Sequence, residues 1–125
     1  MCNDVYRVAA ENTTTTSWGS LSWLAGSTID PGSEQCMGIA AIKPGMRNPL
    51  HRHPNCEELM YVLEGTCRKT IGDGEVDLKP GDLVRIPRNV PHRAECTSAE
   101  PLRAVVIFSS PERQSEVLEP GGEIA

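Results

Sequence analysis

Two histidines one residue apart, His51 and His53, are the first sign of chemistry in this sequence. Side chains of an extended chain alternate sides with a period of two, so both imidazoles project from one face. Glu57 and Glu58 follow after a short connection, at the head of an apolar run, and His92 stands further on, behind Asn89, Val90 and Pro91. Neutral imidazole nitrogens and a carboxylate oxygen form a ligand set suited to a borderline or moderately hard divalent ion. A surface His-x-His pair alone is weak evidence, but the chain has only 3 histidines and all of them fall in this pattern. Cys56 and Cys96 are soft ligands on paper, Glu57 competes with Glu58, and the bland alternative is three histidines merely hydrogen-bonded inside the fold.

Such a cluster needs elements to hold it, and the sequence offers strands. Apolar runs occupy residues 36–43 (CMGIAAIK), 57–65 (EELMYVLEG), 82–87 (DLVRIP) and 101–110 (PLRAVVIFSS), with TCRKTIG, EVDLKPGD and HRAECT between them. Turn signals at Pro44-Gly45, Gly65, Gly72-Asp73-Gly74 and Lys79-Pro80-Gly81 punctuate the runs, and no amphipathic helix precedes the tail. This spacing predicts an all-β sandwich or barrel. Residues 1–35 read as an N-terminal arm or two short strands, with a Thr run at 13–16, an apolar patch around Trp18 and Trp23, and a turn from Asp30 to Ser33. Residues 36–110 form the core, and residues 111–125 an acidic C-terminal tail.

Composition agrees with this organisation. With 11 Gly, 10 Pro and 4% aromatic residues, the core must rest on Val, Ile, Leu, Met and Ala, and 125 residues make one domain. The net charge of −5 argues against a nucleic-acid surface, which needs clustered Lys and Arg. Four acids of the tail, Glu112, Glu116, Glu119 and Glu123, stand against a single cation, Arg113. No stretch approaches the roughly 20 apolar residues of a membrane span, and the first residues lack the pattern of a secretory signal, so a cytoplasmic address is expected. The 5 cysteines show no C-x-x-C spacing and are expected as reduced, buried thiols.

The grammar around the histidines resembles the cupin superfamily. Its first motif, a glycine, five residues, His-x-His, three or four residues, Glu, six residues and a glycine, reads Gly45, His51, His53, Glu58 and Gly65. Only Glu58, not Glu57, leaves six residues before Gly65. The second motif matches Gly81, Pro87 and His92 but departs at Asn89, where the family has glycine, and at Cys96, where it often has Asn. Asn accepts left-handed backbone angles, so the first departure is tolerable. Fifteen residues, 66–80, separate the motifs. The resemblance implies a double-stranded β-helix, the jelly-roll or cupin barrel. It also implies one divalent ion, whether Fe, Mn, Ni or Zn, held by His51, His53, Glu58 and His92.

Four protein ligands on a six-coordinate ion leave two positions for a small anionic or hydroxy/keto molecule, with the metal as Lewis acid or O₂-activating centre. Isomerase, lyase and dioxygenase activities all follow, and a non-catalytic binding or sensing cupin is the alternative. Arg47, Met60, Val62, Cys67, Lys69 and Cys96 are candidate pocket residues, whereas Tyr61 should face outward. Ordinary imidazole pKa values near ~6.5 predict metal affinity that falls steeply below that pH. Finally, Leu59, Tyr61 and Leu63 form an apolar stripe opposite the Glu58 face. Either the arm, through Trp18, Leu21, Trp23 and Leu24, or a second copy must cover it, and a homodimer is expected.

Overall fold

The computed structural model describes residues 5–7, 9, 12–27, 29 and 32–125. Alternation becomes architecture at once in the central strand Leu102–Phe108, where Leu102, Ala104, Val106 and Phe108 are buried and the residues between them are not. Each buried Val, Leu or Phe side chain contributes about 1.5–3 kcal/mol over its exposed state, so the pattern fixes which face turns inward.

Among the described residues there are eleven strands: β1 (Thr13–Thr15), β2 (Gly19–Ala25), β3 (Cys36–Ile42), β4 (His51–Arg52), β5 (Glu58–Glu64), β6 (Cys67–Ile71), β7 (Gly74–Leu78), β8 (Leu83–Ile86), β9 (His92–Cys96), β10 (Leu102–Phe108) and β11 (Glu116–Val117). They form two antiparallel sheets, one ordered β1-β2-β3-β10-β5-β8 and the other β11-β4-β9-β6-β7. The core lies between them, with Val62, Cys67, Ile86, Cys96, Leu102, Ala104 and Phe108 almost fully enclosed. The expected all-β jelly roll is the fold observed, and among the described residues no helix is long and apolar enough to cross a membrane.

Two backbone devices place the histidines. Residues 45–48 run beside β9 through hydrogen bonds from Gly45 N to Cys96 O (3.1 Å), Cys96 N to Met46 O (2.9 Å) and Asn48 N to Ala94 O (3.2 Å). This brings His51 into register with His92. Before His92, the turn at Asn89 carries a positive φ of 64°, and the Asn89 N–H donates to His53 O at 2.9 Å. Asn therefore supplies the left-handed conformation that the family gives to glycine. Gly65 has no such substitute: φ is 74°, and a Cβ there would meet Pro101 O at 2.7 Å.

The N-terminal residues join the barrel as β1 and β2, whose register with β3 pairs Leu21 with Ala40. Their apolar side chains do not cover the stripe on β5. Trp18 and Leu21 turn into the core, and Trp23 packs on Phe108 with ring centroids 6.0 Å apart. Tyr61 remains 42% exposed, Leu63 37% and Leu83 62%. Cross-strand pairing extends the stripe into a row, since Leu83 pairs Tyr61, Tyr61 pairs Val105, and Val105 pairs Ile39. Cys36, Cys56, Cys67 and Cys96 are buried free thiols, as expected. Cys2 and the first half of the Asp30 to Ser33 turn lie outside the described residues.

The turn makes a direct prediction. Asn89→Gly should leave stability within about 0.5 kcal/mol, while Asn89→Ala should cost roughly 1–2 kcal/mol through the left-handed backbone alone. Urea unfolding of the three proteins checks it, and equal midpoints for all three would refute the role given to this turn.

Candidate metal centre

The two sheets contribute opposite halves of the site. His51 on β4 and His92 on β9 come from the five-stranded sheet, His53 from the segment just after β4, and Glu58 from the first residue of β5 across the barrel. All four side chains are buried, at 1–5% exposure. The imidazole centroids lie 4.3 Å apart for His51 and His92, and 5.0 Å for His53 with each of the other two.

What each ring does with its two nitrogens decides the chemistry. Nδ1 of His51 lies 2.6 Å from Pro49 O, Nδ1 of His53 lies 2.9 Å from Gln114 O, and Nδ1 of His92 lies 2.9 Å from Val90 O. A carbonyl only accepts, so each Nδ1 must carry the proton and each neutral ring presents an Nε2 lone pair. The ligand atoms of the three rings lie within 4.8 Å of one another. Glu58 Oε1 stands beside them, 3.4 Å from His53 Nε2 and 3.2 Å from His92 Nε2, yet neither nitrogen makes a hydrogen bond. Acceptors face acceptors in a space shielded from water. A divalent cation is the group that this arrangement fits, and the hydrogen-bonded second nitrogen is what a histidine ligand needs to be oriented.

Protonation follows from the surroundings. Burial lowers the His51 pKa to about 3, helped by neighbouring His92. Burial also lowers His92, with Lys69 adding to the effect while Glu58 opposes it. For Glu58, burial acts upward but is outweighed by Lys69 and by contacts with His53 and His92, so its carboxyl titrates well below the usual range. His51 and the carboxylate thus stay ready for a cation in mild acid. Burial moves proton competition at His51 and His92 below the ordinary imidazole range on which the expectation of ligand loss near ~6.5 rested. Cys56 and Cys67 are pushed up to about 11 by burial and offer no thiolate.

The chamber in front of the cluster holds a free volume of about 50 Å³. Lys69, 2% exposed on β6, lines it together with Trp18, Asn48, Phe108, Arg113, Ile124 and Ala125. Met60, Val62, Cys67 and Cys96 are buried in the core and do not line the chamber. Arg47 is on the surface, 4.0 Å from Glu119 with nearly half its side chain exposed. Glu57, beside Glu58, turns away to Arg85 at 3.1 Å. The sequence reading missed the last fifteen residues as part of the site. β11 pairs Val117 with His51, Glu119 Oε1 accepts from Leu50 N at 2.8 Å, and Gln114 orients His53. The one signal was Arg113, a lone cation among the tail's acids.

Comparison with known proteins agrees with the fold and site. The family model for the cupin domain matches residues 38–108, and the chain belongs to this family. The uncharacterized protein MJ1618 of Methanocaldococcus jannaschii is 31% identical over 93 residues, 73% of this chain and 74% of that one. Oxalate decarboxylase OxdC of Bacillus subtilis is 32% identical over 75 residues, covering 56% of this chain but 20% of the enzyme. A solved structure of that decarboxylase, described for its Mn(II) centres, superposes with a TM-score of 0.82 at 24% identity, over 90% of this chain and 31% of the other. That likeness establishes the fold.

Acid should act on the metal-free protein with a definite sign. Unfolded His51 takes a proton near its ordinary pKa of 6.5, whereas folded His51 takes one only near 3. Acid therefore favours the unfolded state throughout this window, by up to about 1.4 kcal/mol per pH unit for each such proton. Glu58, depressed in the folded state, adds a loss in the same direction below its unfolded pKa of 4.5. Melting temperatures of the metal-free chain should fall between about pH 7 and 5 and fall less steeply in His51→Gln. A profile that His51→Gln leaves unchanged would contradict the assignment.

Proposed function

We propose that this chain is a small metal-dependent cupin enzyme, in which His51, His53, Glu58 and His92 hold one divalent ion against a small anionic or hydroxy/keto substrate. The observation that carries the proposal is the convergence of ring nitrogens of the three histidines within 4.8 Å of one another, with Glu58 Oε1 beside His53 and His92 Nε2 and no hydrogen bond at either of those two nitrogens. The ion would supply Lewis-acid polarisation or O₂ activation, which fits an isomerase, a lyase or a dioxygenase. Among Fe, Mn, Ni and Zn, manganese is the first candidate, because a relative of the same fold is described by its Mn(II) centres.

The protein's own residues would act on the substrate by position and charge. A divalent ion together with Lys69 would outweigh the negative charge of Glu58, so the chamber favours an anion. Lys69, enclosed beside the ligands, is the side chain available to hold or pass a proton at its Nζ. A second reading, a binding or sensing cupin without turnover, is favoured by the scarcity of proton carriers, since among the described residues Lys69 and Arg113 are the titratable side chains that line the chamber beyond the ligand set. The buried free thiols support a reduced, cytoplasmic setting.

Elemental analysis of untagged protein, followed by O₂ uptake with candidate acids, separates the readings. Iron with substrate-dependent uptake supports a dioxygenase; manganese, nickel or zinc with turnover but no uptake supports an isomerase or lyase; metal without any turnover supports the binding module. Chelation should lower the melting temperature and one equivalent of metal restore it, by about 2.7 kcal/mol at a hundred times the dissociation constant. Glu58→Gln should weaken metal binding more than Glu57→Gln, and the reverse order would move the fourth ligand to Glu57.

The row formed by exposed Leu83 and Tyr61 with half-buried Val105 and Ile39 supports a homodimer, since a two-fold axis lets one apolar patch cover itself. Light scattering should give twice the mass of one chain, and Tyr61→Glu should return the single-chain mass by placing a charge against apolar neighbours. A single-chain mass for the parent protein would end the dimer proposal.

A further inference from the structure

Asn55 lies in the turn between His53 and β5, and its side chain serves a distant part of the chain. The amide spans 57 and 59 residues of sequence to reach the segment beyond β10: Nδ2 donates to Glu112 O at 2.8 Å, and Oδ1 accepts from Gln114 N at 2.9 Å. A turn asparagine ordinarily bonds backbone close by in sequence. Here the carboxamide, with a donor and an acceptor in one plane, brackets a remote stretch of main chain as a peptide group of a neighbouring strand would. Residues 109–115 lie between β10 and β11 and belong to neither sheet, so no ladder fixes their carbonyls. One end of the stretch is fastened where Ser109 N donates to Glu57 O at 3.1 Å, and the other where Glu116 pairs with Arg52. Between these anchors Gln114 is exposed, yet its main-chain oxygen accepts from His53 Nδ1 at 2.9 Å. The place of that oxygen depends on what grips the backbone, and Asn55 grips it at the Gln114 N–H.

His53 differs from the other two rings at this nitrogen. Among the described residues, Nδ1 of His51 and Nδ1 of His92 each meet one carbonyl, whereas Nδ1 of His53 meets Gln114 O and also Ser115 Oγ, at 3.0 Å. A carbonyl only accepts and requires a proton on Nδ1. A hydroxyl can also donate, and it would satisfy a bare Nδ1. In that second arrangement the proton is lost from Nδ1 and one is gained at Nε2, with no change of charge. Nε2 then has an acceptor within reach, Glu58 Oε1 at 3.4 Å. The ring would be bonded at both nitrogens and closed to a cation.

We infer that Asn55 is the positioning residue that keeps His53 in its cation-accepting tautomer: by holding Gln114 O against Nδ1, it denies Ser115 the role of donor. This deepens the metal-dependent reading above and rests on it for the consequence in metal affinity. The choice of tautomer itself needs no metal. Asn55 touches neither the chamber nor the ligand atoms, and it acts only through the main chain of residues 112–114.

The test compares the full chain with Asn55→Ala, Ser115→Ala and the double variant. Long-range ¹H–¹⁵N correlation spectra of the metal-free proteins near neutral pH locate the proton on each ring, and zinc affinity is read by competition with a chromophoric chelator. In Asn55→Ala the His53 proton should move to Nε2 in a measurable fraction of molecules while His51 and His92 keep theirs on Nδ1. Zinc should then bind about tenfold more weakly. Ser115→Ala alone should leave both readings as in the parent. Added to Asn55→Ala it removes the competing donor, so the proton should return to Nδ1 and most of the zinc affinity should recover, which a residue needed only for stability would not show. If Asn55→Ala does not fold, Asn55→Ser keeps a turn-forming residue too short to bridge both partners and should give the same shift. A folded Asn55 variant with the parent's tautomer and zinc affinity would overturn the inference, as would a loss of zinc affinity that Ser115→Ala does not recover. Zinc that fails to bind any form, with the His53 proton still following Asn55 as stated, would remove the metal reading and leave this one standing.

Discussion

Three backbone carbonyls, those of Pro49, Val90 and Gln114, fix the orientation of three imidazoles, and the rest of the structure serves that arrangement. Each carbonyl takes the Nδ1 proton and thereby turns an Nε2 lone pair toward the barrel interior. The carbonyls come from three separated parts of the chain, so no local segment can build the site. Pro49 is set by the run of residues 45–48 along β9, Val90 by the left-handed turn at Asn89, and Gln114 by the tail that β11 ties to β4. A small slip in any of the three would rotate one ring and break the convergence.

This geometry is unfavourable without a cation. Buried acceptors that face one another lose their water partners and gain none in exchange. The barrel tolerates the arrangement because His51 and His92 are held neutral by burial, and because Lys69 lies close enough to Glu58 to keep its carboxylate ionised. Near the same interior the Arg113 guanidinium lies over the rings of Trp23 and Phe108, with its Nη2 on the main-chain oxygen of Ala125. The tail meanwhile keeps the chamber nearly closed.

Much of this was legible in the residues. The runs that became β3, β5, β6, β7, β8, β9 and β10 announce themselves by alternation and by their turns, and the spacing of His51, His53, Glu58 and His92 marks the buried cluster that the fold brings together. β4 and β11 have two residues each, too few for any periodicity, and they exist only because they pair with distant partners. Pocket residues were hard for a related reason. Met60 and Val62 share the inward face of β5 with Glu58, but facing inward does not specify depth, and only Glu58 stands at the chamber. Arg113 stood out only as the lone cation of an acidic tail, since nothing local reveals that Trp23 and Phe108 receive it. The apolar stripe around Tyr61 was visible too, whereas the direction of the arm was not: Trp18 and Leu21 found a better burial inside the barrel than over the stripe.

The central claim is that the three rings carry their protons on Nδ1 and offer bare Nε2 atoms to a cation. Long-range ¹H–¹⁵N correlation spectra of the metal-free protein near neutral pH read this directly, because protonated and unprotonated ring nitrogens resonate far apart. The account predicts three neutral imidazoles of the Nδ1–H form, whose Nε2 resonances shift on addition of one equivalent of zinc. A proton found on Nε2 of His53 or His92, shared with Glu58 and undisturbed by zinc, would contradict it and make the cluster an ordinary hydrogen-bonded core.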